Sequence, residues 1–280
     1  MTIINKNVNL GFMQGRLSPM IENMIQRFPI DNWKHEIQLA NKHDWFLMEW
    51  TIDYFTFDRN PIFNDNFKIT NLSPLKVNSI TADFFMQDPF FLVKNKQKKD
   101  KLIADFKRVI RCMKKNEILN IVLPLVDNGS LIKNNINEDY VIEDLHKVFQ
   151  EYKDDNINFI FESDFEPERL LKFIEKFNSN KVGINYDTGN SASLGFDSEK
   201  EIKIYGNWIK NCHLKDRVKG GSTVEFGAGD TDFKRVLQNL NKINYINDFI
   251  IQGARSNNSK DVEILNQYRN YILDIVTNEF

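Results

Sequence analysis

The chain has 280 residues, a formal net charge of −2, 41% hydrophobic and 27% charged residues. That balance supplies enough apolar material for a sizeable core, which excludes a disordered chain, and it gives no general attraction for polyanions, which argues against a nucleic-acid partner. Two cysteines, Cys112 and Cys212, exclude a disulfide framework and fit a reducing cytoplasm, and no apolar run approaches the roughly 20 residues of a membrane span, so no membrane partner is expected.

The opening Met1 to Lys6 lacks the apolar core of a secretory signal. Asn7 to Leu17 reads as a strand ending at Gly15-Arg16, followed by a loop with Pro19 and Pro29. Trp33 to His43 places Trp33, Ile37 and Ala40 at helical spacing. Trp45 to Thr51 reads as a second strand with Glu49 at its end. Tyr54 to Ser73 is polar and aromatic, with breakers at Asn60-Pro61 and Ser73-Pro74, so it reads as a long connection with room for one helical turn. Val77 to Phe85 is a third strand, and the basic run Lys94 to Lys101 reads as a solvated loop. The helix from Lys99 to Lys115 is marked by a stripe of Leu102, Phe106, Val109 and Met113, widened by Ile103 and Ile110.

Asn120 to Asp127 is a fourth strand, with Pro124 near its end because proline donates nothing to a ladder. A helix over Glu138 to Tyr152 turns Val141, Leu145, Val148 and Phe149 inward. A fifth strand holds Glu162, and Pro167 at the first helical position then opens a helix with Leu170, Ile174 and Phe177 on its buried face. Strands six, seven and eight hold Asp187, His213 and Gln252, and helices over Thr231 to Asn241 and Asp261 to Thr277 follow the last two. Eight strand-like segments, nearly all separated by helical patterns, imply a parallel sheet. Eight units in 280 residues match an α/β fold of the (β/α)8 TIM barrel type, a single domain over residues 1–280. An open doubly wound sheet is the alternative, against which Gly11-Phe-Met-Gln-Gly15 has neither the spacing nor the following helix of a phosphate loop.

Glu162, Asp187, His213 and Gln252 each close a predicted strand, at successive spacings of 25, 26 and 39 residues. The first two spacings are one repeat each, and the third is lengthened by the loop Arg217 to Thr231. Alternation along a strand lets all four side chains point into the barrel mouth. Two carboxylates, an imidazole and an amide oxygen suit one divalent metal ion, Mn²⁺, Co²⁺, Mg²⁺ or Zn²⁺, with positions left for water or substrate oxygens.

The motifs Phe161-Glu-Ser, Tyr186-Asp-Thr-Gly-Asn-Ser, Cys212-His-Leu-Lys-Asp and Phe226-Gly-Ala-Gly-Asp-Thr-Asp-Phe, with milder support from Met48-Glu-Trp, resemble those of the xylose isomerase-like barrels, and most of all the sugar-phosphate isomerase/epimerase branch. The resemblance covers essentially the whole chain. It implies a small-molecule sugar or sugar-phosphate substrate and one divalent metal held by Glu, Asp, His and a second Glu. It also implies that the two Glu act as acid and base through an enediolate. Glu162, Asp187 and His213 match the first three positions, and Gln252 departs from the fourth. An amide oxygen can ligate a metal but has no useful pKa, so Gln252 cannot return a proton.

Glu162 is thus the expected base, with Glu49 and Lys215 as further candidate proton carriers or substrate contacts. Arg16, Arg217 and Arg255, at the ends of strands one, seven and eight, are candidates for an anionic group on the substrate, as is Asn190 in the Asp-Thr-Gly-Asn turn for a polar one. Asp230 or Asp232 is expected to cap the next helix. His35 and His146 read as surface helical residues, His43 lies at the wrong end of the barrel, and alternation turns Cys212 away from His213. The loss of the second Glu leaves open a metal-dependent lyase or dehydratase acting on a keto-polyol, or a sugar-binding homologue with impaired catalysis. A nuclease of the same superfold needs a multi-histidine cluster that four histidines, one of them at a strand end, do not supply. Homo-oligomerisation is left open.

Overall fold

A computed structural model describes residues 8–255 and 260–279. The segment Met1 to Lys6, read above for a secretory signal, and Asn7 lie outside the described residues. Eight parallel strands close into a barrel: β1 (Leu10–Met13), β2 (Leu47–Ile52), β3 (Lys76–Ala82), β4 (Asn120–Leu125), β5 (Asn158–Ser163), β6 (Val182–Asp187), β7 (Ile209–Leu214) and β10 (Asp248–Ile251). The pair β8 (Asp216–Arg217) and β9 (Thr223–Val224) forms a small antiparallel ribbon above β7. The strands run in sequence order around the barrel, and β1 pairs with both β10 and β2. Closure removes the open-sheet alternative and leaves a single (β/α)8 domain.

The helices are α1 (Trp33–Lys42), α2 (Asp83–Gln87), α3 (Lys96–Asn116), α4 (Glu138–Glu151), α5 (Pro167–Glu175), α6 (Thr188–Leu194), α7 (Ser198–Tyr205), α8 (Phe233–Lys242) and α9 (Asp261–Glu279). The α3 stripe of Leu102, Phe106, Val109, Ile110 and Met113 is buried as its spacing requires, and Asn95 caps the helix by accepting from Lys98 N. Among the described residues, no helix is long and apolar enough to cross a membrane.

Side-chain parity divides each strand. Phe12, Met48, Trp50, Ile121, Leu123, Phe159, Phe161, Ile184, Cys212 and Phe249 belong to the main core, where strands meet helices. Met13, Leu47 and Ile250 form a separate apolar plug inside the barrel. Beside this plug, where Met13 pairs with Glu49 and Ile250 with His213, the other inward positions are polar: Glu49, Ser79, Asn185, Asn211, Glu162, Asp187 and His213, all buried. A barrel interior is normally filled by apolar branched residues. A fully buried polar layer is stable only if its members satisfy one another.

Several boundaries differ from expectation. The second strand runs on to Ile52, which puts Glu49 in mid-strand rather than at its end. The Tyr54 to Ser73 connection contains three short 3-10 turns, at Phe57–Arg59, Pro61–Phe63 and Ile69–Leu72. The first strand stops at Met13, because Gly15 turns the chain at φ 95°. Helices α6 and α7 are additional to those expected between strands six and seven. Asp187 starts the first by accepting from Asn190 N, Gly195 ends it at φ 76°, and Asp197 starts the second.

Candidate metal and substrate site

Register places the site. Asp187 on β6 pairs with His213 on β7, Ile250 of β10 lies beside His213, and Pro124 of β4 lies beside Glu162 of β5. Among the described residues, Glu162, Asp187 and His213 offer ligand atoms that all lie within 4.8 Å of one another, and all three are buried. Gln252 follows the last residue of β10, and its backbone N–H still extends the ladder to Leu214 O at 2.9 Å. Its side-chain Oε1 is buried and has no hydrogen-bond partner among the described residues. An orphaned acceptor that borders one cavity with Glu162, on the strand next to His213, fits a cation better than it fits the bare protein.

His213 is held from below. Its Nε2 lies 2.8 Å from Glu49 Oε1, and its Nδ1 lies 3.3 Å from Glu162 Oε2. Asn185 Nδ2 lies 3.0 Å from the same Nδ1 and donates to Glu162 Oε2 at 2.8 Å. Glu49 Oε2 in turn accepts from Ser79 Oγ at 2.7 Å and Asn211 Nδ2 at 2.9 Å, while Asn211 Nδ2 also reaches Asn185 Oδ1 at 2.9 Å. Burial disfavours the imidazolium, yet the carboxylates of Glu49 and Glu162 overcome it and push the His213 pKa up to about 10. Glu162 is pulled the other way. Burial favours its neutral form, but hydrogen bonds from His213 and Asn185 and the nearby Lys215 ammonium hold it below the usual carboxylate range. It is therefore ionised at neutral pH, as a base must be.

The rim is built by the strand-seven motif. Lys215 Nζ pairs with Asp187 Oδ2 at 2.7 Å, and Asn190 Nδ2 donates to Glu162 Oε1 at 2.7 Å. Arg217 Nη1 donates to Asn190 Oδ1 at 2.8 Å. Asp216 accepts the backbone N–H groups of Gly227, Gly229 and Thr231, at 2.8, 3.1 and 3.1 Å. This explains why Lys-Asp and the later Gly-Ala-Gly-Asp belong together. A Cβ at Gly229 would stand 2.3 Å from Asp216 Oδ1, so only glycine lets the loop wrap that carboxylate. Asp232, one of the two expected caps, accepts from Arg235 N at the start of α8, and Asp230 instead accepts from Lys219 N.

A cavity of about 280 Å³ opens above these residues, bordered by Glu162, Asn190, Lys215, Arg217 and Gln252 on one side and by Arg16, Thr81 and Asp83 on the other. Two expectations need correction. Glu49 does not reach the cavity, because it sits in mid-strand, fully buried beneath His213, where it positions the ring. Arg255 turns away from the cavity, with Nη2 donating to Ser18 O and lying 3.6 Å from Asp261 Oδ1. Arg16 borders the cavity but spends Nε on Gly253 O and Nη1 on Ile25 O and Gln26 Oε1. Among the residues that sequence reasoning passed over, Asn185 and Asn211 share the inward parity of Asp187 and His213, and Asp83 shares that of Ser79 and Thr81. That parity was the available signal.

Glu49 and His213 form an ion pair with no exposed surface. Glu49→Ala is expected to lower stability by about 3–5 kcal/mol, because removing one partner leaves the other buried and uncompensated. Urea unfolding measures this, and a loss below about 1 kcal/mol, the range of exposed pairs, would show that the pair is solvated.

The family model for the xylose isomerase-like TIM barrel matches residues 67–266, and the chain belongs to that family. An uncharacterised protein of Methanocaldococcus jannaschii is 27% identical over 106 residues, which span 36% of each chain. Among solved structures, the IolI protein with a binding zinc atom superposes with a TM-score of 0.73 at 18% identity, covering 98% of this chain and 99% of the other. An L-ribulose 3-epimerase superposes with a TM-score of 0.70 at 14% identity, covering 97% and 95%. At these identities the structural likeness is one of fold.

Proposed function

We propose that the chain is a metal-dependent isomerase or epimerase of a sugar or sugar phosphate, with Glu162 as the base. The observation that carries this reading is the convergence of the ligand atoms of Glu162, Asp187 and His213, with Glu162 and Gln252 bordering one cavity and Gln252 Oε1 left without a partner among the described residues. Support also comes from the family, from a fold neighbour that binds zinc and from another that is an epimerase.

Glu162, Asp187, His213 and Gln252 would hold one divalent cation. When bound, the cation polarises a substrate carbonyl and acidifies the adjacent C–H. The chain does the rest. Glu49 fixes the His213 ring through Nε2 and leaves Nδ1 facing Glu162, where the proton that the metal-free imidazolium carries would give way to a bound cation. Asn190 and Asn185 hold Glu162 in place. Glu162 takes the proton from the carbon next to the carbonyl. Lys215 neutralises Asp187, and Arg16 and Arg217 give the cavity a cationic border that favours an anionic substrate group. A second reading, a lyase or dehydratase on a keto-polyol, is favoured by Gln252, because elimination needs only one carboxylate base.

The test is metal analysis of the purified chain, followed by incubation with ketoses and ketose phosphates in D₂O. Deuterium is expected at the carbon beside the carbonyl, without loss of water. A metal at about one hundred times its Kd is expected to add roughly 2.7 kcal/mol of stability, read as a higher Tm. Neither exchange nor a metal-dependent Tm across the panel removes the reading, and a dehydrated product moves it to the lyase class.

A further inference from the structure

Gln252 leaves the β10 side of the mouth with no group able to carry a proton. The wall formed by β3 has one. Asp83 follows β3 directly and continues the inward series Ser79, Thr81, so its carboxyl borders the same cavity as Glu162 and Gln252. β3 stands opposite β7 in the closed order, two strands from β5 and three from β10. Asp83 therefore meets a substrate in the mouth from a wall that neither Glu162 nor Gln252 occupies. Its side chain is 4% exposed, and Oδ2 is buried with no hydrogen-bond partner among the described residues. Other buried carboxylates here have structural work: Glu49 orders His213, and Asp53 accepts from Phe28 N and Thr56 N. An unpartnered buried carboxyl is costly to keep, and such groups concentrate at sites of chemistry.

We propose that Asp83 is the second proton carrier of this site, replacing on β3 the function that Gln252 cannot serve, and that the reaction is therefore an epimerisation. The proposal rests on the isomerase reading above. Glu162 accepts H⁺ from the carbon beside the carbonyl. The C–H pair becomes the C=C bond and the C=O π pair moves onto oxygen, giving an enediolate. Asp83, entering as the protonated acid, delivers its proton to that carbon from its own wall as the C=O bond re-forms. Glu162 ends protonated and Asp83 ionised, and exchange with water resets both, with no oxidant or reductant consumed. Burial, followed by the negative charges of Asp53 and Glu162 and opposed by Arg16, pushes the Asp83 pKa up to about 8, so the acid form is present at neutral pH.

The experiment uses the full chain loaded with metal and a ketose or ketose-phosphate panel in D₂O. In the wild type, deuterium enters recovered substrate and epimeric product. Asp83→Asn is expected to keep deuterium entry into recovered substrate within about threefold while epimer formation falls by about 100-fold. Glu162→Gln is expected to lose both. Epimer formation by Asp83→Asn within about threefold of the wild type overturns the role of Asp83 and leaves the isomerase reading standing. So does loss of both signals in an Asp83→Asn variant that melts no lower than the wild type. If Asp83→Asn does not fold, Asp83→Ala with added formate decides, since restored epimer formation supports the assignment and its absence overturns it. No exchange by the wild type overturns both readings.

Discussion

Replacing Glu162 by glutamine is expected to lower solvent deuterium incorporation by about 10³-fold, the range typical of a lost general base. The fold should survive, because Gln is isosteric and the amides of Asn185 and Asn190 that now donate to Glu162 can rotate toward its carbonyl oxygen. The same change removes one negative charge beside His213, so the imidazolium loses one of the two carboxylates that raise its pKa. Metal affinity should fall with it, since the remaining ligands would be Asp187, His213 and Gln252. Activity at saturating metal separates the two effects. Full recovery of exchange at high metal concentration would reduce Glu162 to a ligand and require a different base.

What could be read from the sequence followed the strength of the periodic signal. The strands of the closed barrel come from apolar runs such as Phe159-Ile-Phe and Phe249-Ile-Ile, whose outward residues enter the helix-facing core. Glu162, Asp187 and His213 were legible because repeat spacing puts a polar residue at the same place in successive units, and the structure brings their ligand atoms within 4.8 Å. Asn185 and Asn211 were hidden by the same logic: a polar residue inside an apolar strand shows no partner until barrel closure sets Asn211 against both Asn185 and Glu49. Glu49 looked terminal because Thr51 and the following Asp53 resemble the start of a loop, whereas Thr51 continues the ladder with Thr81. Helices α6 and α7 were missed because they have seven and eight residues and lack a long apolar stripe. Capping by Asp187 and Asp197, rather than periodicity, defines them.

The polar interior also shows why the first residues of the site cannot be varied singly without consequence. His213 connects downward to Glu49, which connects to Ser79 and Asn211, and sideways to Asn185 and Glu162. These bonds couple neighbouring members, with Asn211 Oδ1 left without a partner among the described residues, so a change at Ser79 or Asn211 reaches the candidate ligand set without touching the cavity. The Asp216 carboxylate does the equivalent work for the rim, fixing the loop from Gly227 to Thr231 by three backbone bonds.

Stability is expected to fall as pH rises from about 4 to 8, with Asp83 as a principal cause. The sign follows from its pKa, which is raised from an ordinary 3.8 to about 8 by burial and by Asp53 and Glu162. A carboxyl whose pKa is raised on folding contributes its full stability below the unfolded value. That contribution is lost as pH climbs through the folded one, because the unfolded chain releases the proton more readily. Glu36 acts in the same direction, its pKa raised to about 7 by burial despite the N–H groups of Gly15 and Leu17. Each pKa unit is worth about 1.4 kcal/mol, so the Asp83 contribution is on the order of several kcal/mol. Asp83→Asn should match the wild type at or below about pH 4 and exceed it near pH 8, because the amide keeps the shape of the protonated acid and has no proton to lose. Tm measured across this range reads the difference directly. Parallel wild-type and variant curves would mean that Asp83 is ionised throughout, and would deprive the site of its acid at neutral pH.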